Sequence, residues 1–174
     1  METRIYVASL ADYNAGRLHG VWVDLEGKDK DEVLNEIQEM LKESKEETAE
    51  EWAIHDYEGF GDYPINEYEG IDDLVSICEG IEEFGECFPY LCSHFADIEE
   101  ARRCMSDGGY YGAYDDLSDW AESYLEDTGS LGDMPENLKY YFDYEKFARD
   151  CDYSGDIFTI EDDVGQTHVF SNNY

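Results

Sequence analysis

Apolar residues change their period along the first sixty positions. Residues 4–10 (RIYVASL) and 20–25 (GVWVDL) are short β-branched and aromatic runs, joined by a loop in which Asn14 and Gly16 suit a turn; they predict two strands. Over residues 29–44 the interval lengthens, with Val33, Leu34, Ile37, Met40 and Leu41 recurring at helical spacing. Residues 51–58 (EWAIHDYE) return to a strand pattern. This stretch reads as a three-stranded sheet with one helix.

Gly59, Gly61, Pro64 and Gly70 then interrupt regular structure. A helix is predicted over 71–84, with Ile71, Leu74, Val75, Cys78 and Ile81 inward, and shorter helical pieces near 88–95 and 97–105. Gly108, Gly109 and Gly112 mark a second break. Helices near 115–127 and 136–150 follow, then a hairpin of residues 156–161 (DIFTIE) and 167–171 (THVFS) around Val164-Gly165. The pattern predicts an α+β fold in three small domains: an N-terminal α+β domain (1–61), a central helical domain (62–107) and a C-terminal α+β domain (108–174). It contains no internal repeat.

Charge changes the picture more than any motif does. The 174 residues hold 45 Asp and Glu against 11 Lys and Arg, a net charge of −34. Disordered chains of such charge are poor in aromatics, whereas here aromatics make up 15%. The chain is therefore expected to fold in spite of its self-repulsion. Solubility alone asks for a net charge of roughly 2 to 8. Binding nucleic acid would need Lys and Arg against phosphates, so nucleic acid is not expected as a partner. The acids are also spread evenly: net −10 over 1–60, −11 over 61–107 and −13 over 108–174. Every segment is negative, unlike a neutral domain with an acidic tail.

The acids line up on the predicted helices. Glu32, Glu36, Glu39 and Glu43 fall on one side of the first, opposite its apolar face. Asp115, Asp119, Glu122 and Glu126 repeat that spacing near 115, and Asp72, Glu79, Glu83 and Glu86 repeat it less regularly in the middle. Residues three and four apart on a helix lie roughly 5–6 Å apart, and like charges there cost roughly 0.2–0.5 kcal/mol per pair. Such single-sign rows suit a surrogate for phosphates. At one charge per 1.7 Å of duplex axis, about 34 charges match roughly 58 Å of DNA. Residues 136–150 differ, because Asp143 and Asp150 alternate with Lys139, Lys146 and Arg149.

Other chemistry finds little support. Cys78, Cys87, Cys92, Cys104 and Cys151 are expected to be reduced and buried. Cys87, Cys92 and His94 lack zinc-ligand spacing, and the stretch from Asp56 to Glu67 is no EF-hand loop, so no metal or cofactor is expected. His19, His55 and His168 are isolated and read as structural. No phosphate-binding or nucleophile-elbow motif is present, and no enzyme is expected. The N-terminus lacks a signal-peptide pattern and no run approaches a membrane span, which predicts a cytoplasmic location with no membrane partner.

Five segments carry a family likeness: RIYVASLADYNAGRLHGVWVDL (4–25), EEWAIHDYEGF (50–60), YGAYDDLSDWAESYL (111–125), ENLKYYFDYEKFARD (136–150) and HVF (168–170). Together they resemble the ArdA antirestriction family, and the likeness spans nearly the whole chain. The resemblance implies a DNA mimic of the kind carried on mobile genetic elements. It implies elongated three-domain subunits that form a homodimer, and competitive occupation of the DNA-binding groove of a type I restriction–modification enzyme, formed by its methyltransferase and specificity subunits. It also implies a dimer contact in the C-terminal domain, best matched by Tyr140, Tyr141, Phe142 and Tyr144. The rows of acids leave two other readings open: an acidic binder or chaperone for other basic DNA-binding proteins, and a low-affinity divalent-cation binder.

Overall fold

Ile5 and Val7 lie two apart on the first strand and share one face, and both are fully buried. That face packs against the helix over Lys30–Lys42, whose buried stripe is Val33, Ile37 and Met40. The computed structural model describes residues 2–174, apart from the side chain of Glu136. The elements run β1 (Arg4–Ser9), α1 (Leu10–Asn14), β2 (Gly20–Asp24), α2 (Lys30–Lys42), β3 (Trp52–Glu58), α3 (Ile71–Phe84), α4 (Phe88–Phe95) and α5 (Ile98–Ser106). They continue with β4 (Tyr110–Tyr114), α6 (Leu117–Asp127), α7 (Glu136–Lys139), α8 (Tyr144–Ser154), β5 (Ile157–Glu161) and β6 (Thr167–Ser171). The α+β class holds: two antiparallel three-stranded sheets, ordered β2-β1-β3 and β4-β6-β5, accompany the helices. The chain divides into two compact units, one ending at Ala101 and the other beginning at Arg102.

In the first unit α3 and α4 pack through a close approach. The Phe88 ring sits where a side chain on Gly80 would be, only 2.1 Å from an ideal Cβ. Glycine in mid-helix is needed here for that contact, not for its backbone freedom.

The short α1, which periodicity does not reveal, is built by polar groups. The Ser9 hydroxyl accepts from the Asp12 N–H and caps it. Asp12 is itself buried; its carboxylate accepts from the Ser44 hydroxyl and from Arg17, which also pairs with Glu46. This network ties the turn after β1 to the segment after α2. The Ser44 hydrogen bond, with those from Ser9 and Arg17, holds the Asp12 carboxyl below its ordinary range against the opposing effect of burial. A depressed folded-state pKa stabilises above the unfolded value of about 3.9 and stops doing so as pH falls through the folded pKa. Asp12→Asn should therefore destabilise by a constant amount from neutral pH down to about 4, and the gap to wild type should close below that. Urea unfolding at a series of pH values measures this; a gap independent of pH down to 2 would remove the ionised carboxylate from the network's stability.

In the second unit α6 and α8 pack around a core of Trp120, Ala121, Ala148, Ile157 and Val169. The sheet contains a strand that the glycine pattern disguises. β4 pairs with β6, and its register shifts between Tyr110 and Gly112, where Gly112 takes φ 131°. The helix expected over 136–150 is two helices. Asp143 accepts from the Lys146 N–H and caps α8, so the chain restarts at Tyr144. Tyr140, Tyr141 and Phe142, aromatics of middling helix propensity, lie between the two.

Candidate partner-binding surface

α6 begins with a cap. Asp116 has extended backbone, and its carboxylate accepts from the N–H groups of Ser118 (2.8 Å) and Asp119 (3.1 Å) and from the Ser118 hydroxyl. The Ser118 hydroxyl foremost, then the two N–H groups, hold the Asp116 carboxyl below its ordinary range. The helix therefore starts at Leu117, and Asp115 lies ahead of it instead of on its acidic face. Reading the Asp116-Leu-Ser118-Asp119 run as an N-cap followed by its first turn would have placed this boundary.

On the inward side Trp120 is 1% exposed. It stacks on Tyr124, with ring centroids 5.3 Å apart, and on Phe147 of α8 at 6.4 Å, while Tyr111 of β4 closes against it at 5.8 Å. These rings fix the rotation of α6 about its axis. Its opposite side then presents Asp119, Glu122 and Glu126 to solvent. Among the described residues, no cation pairs with any of these three carboxylates. Seven residues span about 10.5 Å of helix, so the row carries about one charge per 5 Å. A single DNA strand carries one per 3.4 Å. The row is thus somewhat sparser than the phosphates with which it is compared.

The α2 row is exposed too, but its charge is partly engaged. Glu32 closes a capping box, accepting from the Asp29 N–H at 3.0 Å. Glu36 pairs with Lys28 at 2.6 Å and Glu39 with Lys42 at 2.5 Å, while Glu43 is the C-cap residue. In the third row Asp72 pairs with Lys30, and Glu79 and Glu83 are exposed on α3. Glu86 follows the helix end at Phe84 and Gly85, so it lies off the α3 face. The three predicted rows are therefore unlike one another, and only that on α6 is free of lysines.

Of the aromatics proposed for a subunit contact, Tyr140 and Tyr141 are 87% and 80% exposed, and the preceding Leu138 is half exposed. Phe142 and Tyr144 turn inward instead, Phe142 packing against Tyr144 and Phe147.

The histidines act within the fold. His19 Nε2 lies 2.7 Å from the Met40 carbonyl, and the buried His168 sits between the Tyr110 hydroxyl (2.8 Å) and the Asp162 carboxylate (3.2 Å). His55 meets the edge of the Tyr13 ring on the surface. None of the five cysteines is in a disulfide; Cys78, Cys87, Cys92 and Cys104 are buried, whereas Cys151 is partly exposed, contrary to expectation. Burial pushes the Cys78 thiol up to about 11. Among the described residues, no three His, Cys, Asp or Glu side chains are grouped to hold a metal ion, and no helix is long and apolar enough to cross a membrane.

A family model described as Antirestriction protein (ArdA) matches residues 5–166 of the 174. No curated protein matches the sequence.

Proposed function

The chain belongs to the ArdA family of antirestriction proteins, and we propose that it acts as a DNA mimic, occupying the DNA-binding groove of a type I restriction–modification enzyme. The observation that carries this reading is the Asp119, Glu122 and Glu126 row: three carboxylates on a helix fixed by stacked rings, with no cation paired to them among the described residues. Two like-charged neighbours on one helix face cost up to about 1 kcal/mol together. That cost is offset when Lys and Arg of a methyltransferase–specificity core, which otherwise contact phosphates, meet the row. The rows on α2 and α3 contribute longer-range attraction. No bond is made or broken; the protein inhibits by occupancy, in the cytoplasm where restriction takes place.

Such docking is steered by charge and weakened by salt, and it has no counterpart to base-edge readout. The protein should therefore displace duplex from type I enzymes of different target sequence with similar potency, and lose about tenfold or more in potency between 50 and 200 mM salt. Competition binding and cleavage assays measure both. Failure against several type I enzymes, with strong binding to an unrelated basic DNA-binding protein, would favour a general acidic chaperone instead.

The same reading includes a homodimer that buries Leu138, Tyr140 and Tyr141. Exposed aromatics grouped in this way are the kind of surface that a partner covers. Light scattering should give a mass near twice 20.1 kDa for wild type and near 20.1 kDa for Tyr140→Asp/Tyr141→Asp. A wild-type monomer at assay concentration would remove the dimer from the proposal.

A further inference from the structure

The first sheet has a second face, turned away from α2. Strand pairing places six side chains there: Arg4 and Tyr6 on β1, Trp22 and Asp24 opposite them on β2, and Asp56 and Glu58 opposite them on β3. The Arg4 guanidinium carbon stands 4.8 Å from the centre of the Trp22 ring. Its Nε donates to Oε2 of Glu58 at 2.7 Å, and its Nη2 stands 2.6 Å from the same oxygen in an ion pair. Tyr6 and Trp22 lie beside each other with centroids 5.5 Å apart, and the Tyr6 hydroxyl reaches over Gly20, where a Cβ would come within 2.8 Å of it. Asp24 and Asp56 are exposed, and among the described residues no cation is bonded to either; Asp56 accepts only the N–H of Tyr57. The face thus combines two aromatic rings with three carboxylates and one guanidinium.

We propose that this face is a guanidinium-binding surface that takes arginine side chains of a partner protein, with Arg4 as its internal ligand. Arg4 displays the two interactions that a guest would make, a guanidinium over a ring and a charge-assisted hydrogen bond to a carboxylate. Tyr6, the uncovered part of Trp22, Asp24 and Asp56 offer the same pair again. A planar guanidinium can do both at once, whereas a compact, strongly hydrated ammonium gains less from the rings. General acidity would attract arginine and lysine alike, so preference for arginine is the mark of this face. The proposal rests on the inhibitor reading only for the partner's identity, the arginines of a DNA-binding groove.

The test is fluorescence anisotropy of labelled hexa-arginine and hexa-lysine with the full chain at fixed salt. Wild type should prefer the arginine peptide by about two- to fivefold. Arg4→Ala, which uncovers the Trp22 ring and removes a repelling charge, should widen that ratio, and Trp22→Leu should remove most of it. Asp24→Asn/Asp56→Asn changes only exposed side chains and should weaken the arginine peptide more than the lysine peptide. An unchanged arginine-to-lysine ratio in Trp22→Leu, or weaker arginine binding by Arg4→Ala with its melting curve intact, overturns the proposal. Full inhibition of a type I enzyme by a folded Trp22→Leu protein overturns the assignment of that enzyme's arginines as the guests. If wild type fails to inhibit while the peptide ratios stand as expected, the inhibitor reading falls and the guanidinium surface remains.

Discussion

Changing Asp119, Glu122 and Glu126 to Lys should weaken inhibition of a type I restriction enzyme by about 10–10⁴-fold, without unfolding the protein. An exposed ion pair contributes roughly 0.2–1 kcal/mol, and reversal replaces each attraction with a repulsion of similar size. Three reversals then come to roughly 1–6 kcal/mol, which is that range of affinity. The fold should tolerate the change because all three side chains are exposed and have no partner among the described residues, and each replacement reduces the magnitude of a net charge of −34. The neutral set Asp119→Asn, Glu122→Gln, Glu126→Gln should raise stability by up to about 1 kcal/mol, since it removes like-charge neighbours. Reversing Glu36 and Glu39 is the informative contrast. Both already pair with lysines, Lys28 and Lys42, so the loss per residue should be smaller. Competition against labelled duplex measures each variant. Full inhibition by the α6 triple reversal would remove that row from the mechanism.

That contrast between rows was only partly visible along the chain. The absence of lysine within the α6 row could be read directly, and the structure agrees. The pairing of Lys28 with Glu36 could not, because Lys28 precedes α2 and reaches forward past its Asp29 cap. Nor could the Lys30–Asp72 pair, which joins residues 42 positions apart. Helix ends account for the remaining differences at the site. Asp116 and Asp143 each accept backbone N–H groups, and these two caps move Asp115 off its row and divide the expected helix over 136–150. The helices of the middle stretch were legible: α3 and α4 coincide with the predicted 71–84 and 88–95, with burial following the helical period along α3 and running unbroken over Phe88–Cys92 on α4. α1 and β4 were not. Five residues around the buried Asp12 have no period, and the Gly112 in β4 reads as a break until β6 pairs alongside it.

The other large effect expected is on stability, at the centre of the second core. Trp120→Ala should cost about 3–5 kcal/mol, the usual range for deleting a buried aromatic. Trp120 is the residue that α6, α8 and β4 share through Tyr124, Phe147 and Tyr111. Against a typical total of about 5–15 kcal/mol, such a loss unfolds the unit or leaves it barely folded at 37 °C. Inhibition should fall with it, because the carboxylate row loses the packing that aims it. Trp120→Phe should behave differently. The indole Nε1 is buried and, among the described residues, has no hydrogen-bond partner. Phe removes that unsatisfied donor, which offsets part of the lost ring volume, and the net cost should be only about 1 kcal/mol. Near-UV circular dichroism through thermal unfolding, run beside the inhibition assay, separates the two variants. If Phe cost as much as Ala, the indole N–H would have to be bonded in solution. If Ala left both folding and inhibition unchanged, the stacked rings would not be what holds the α6 face in place.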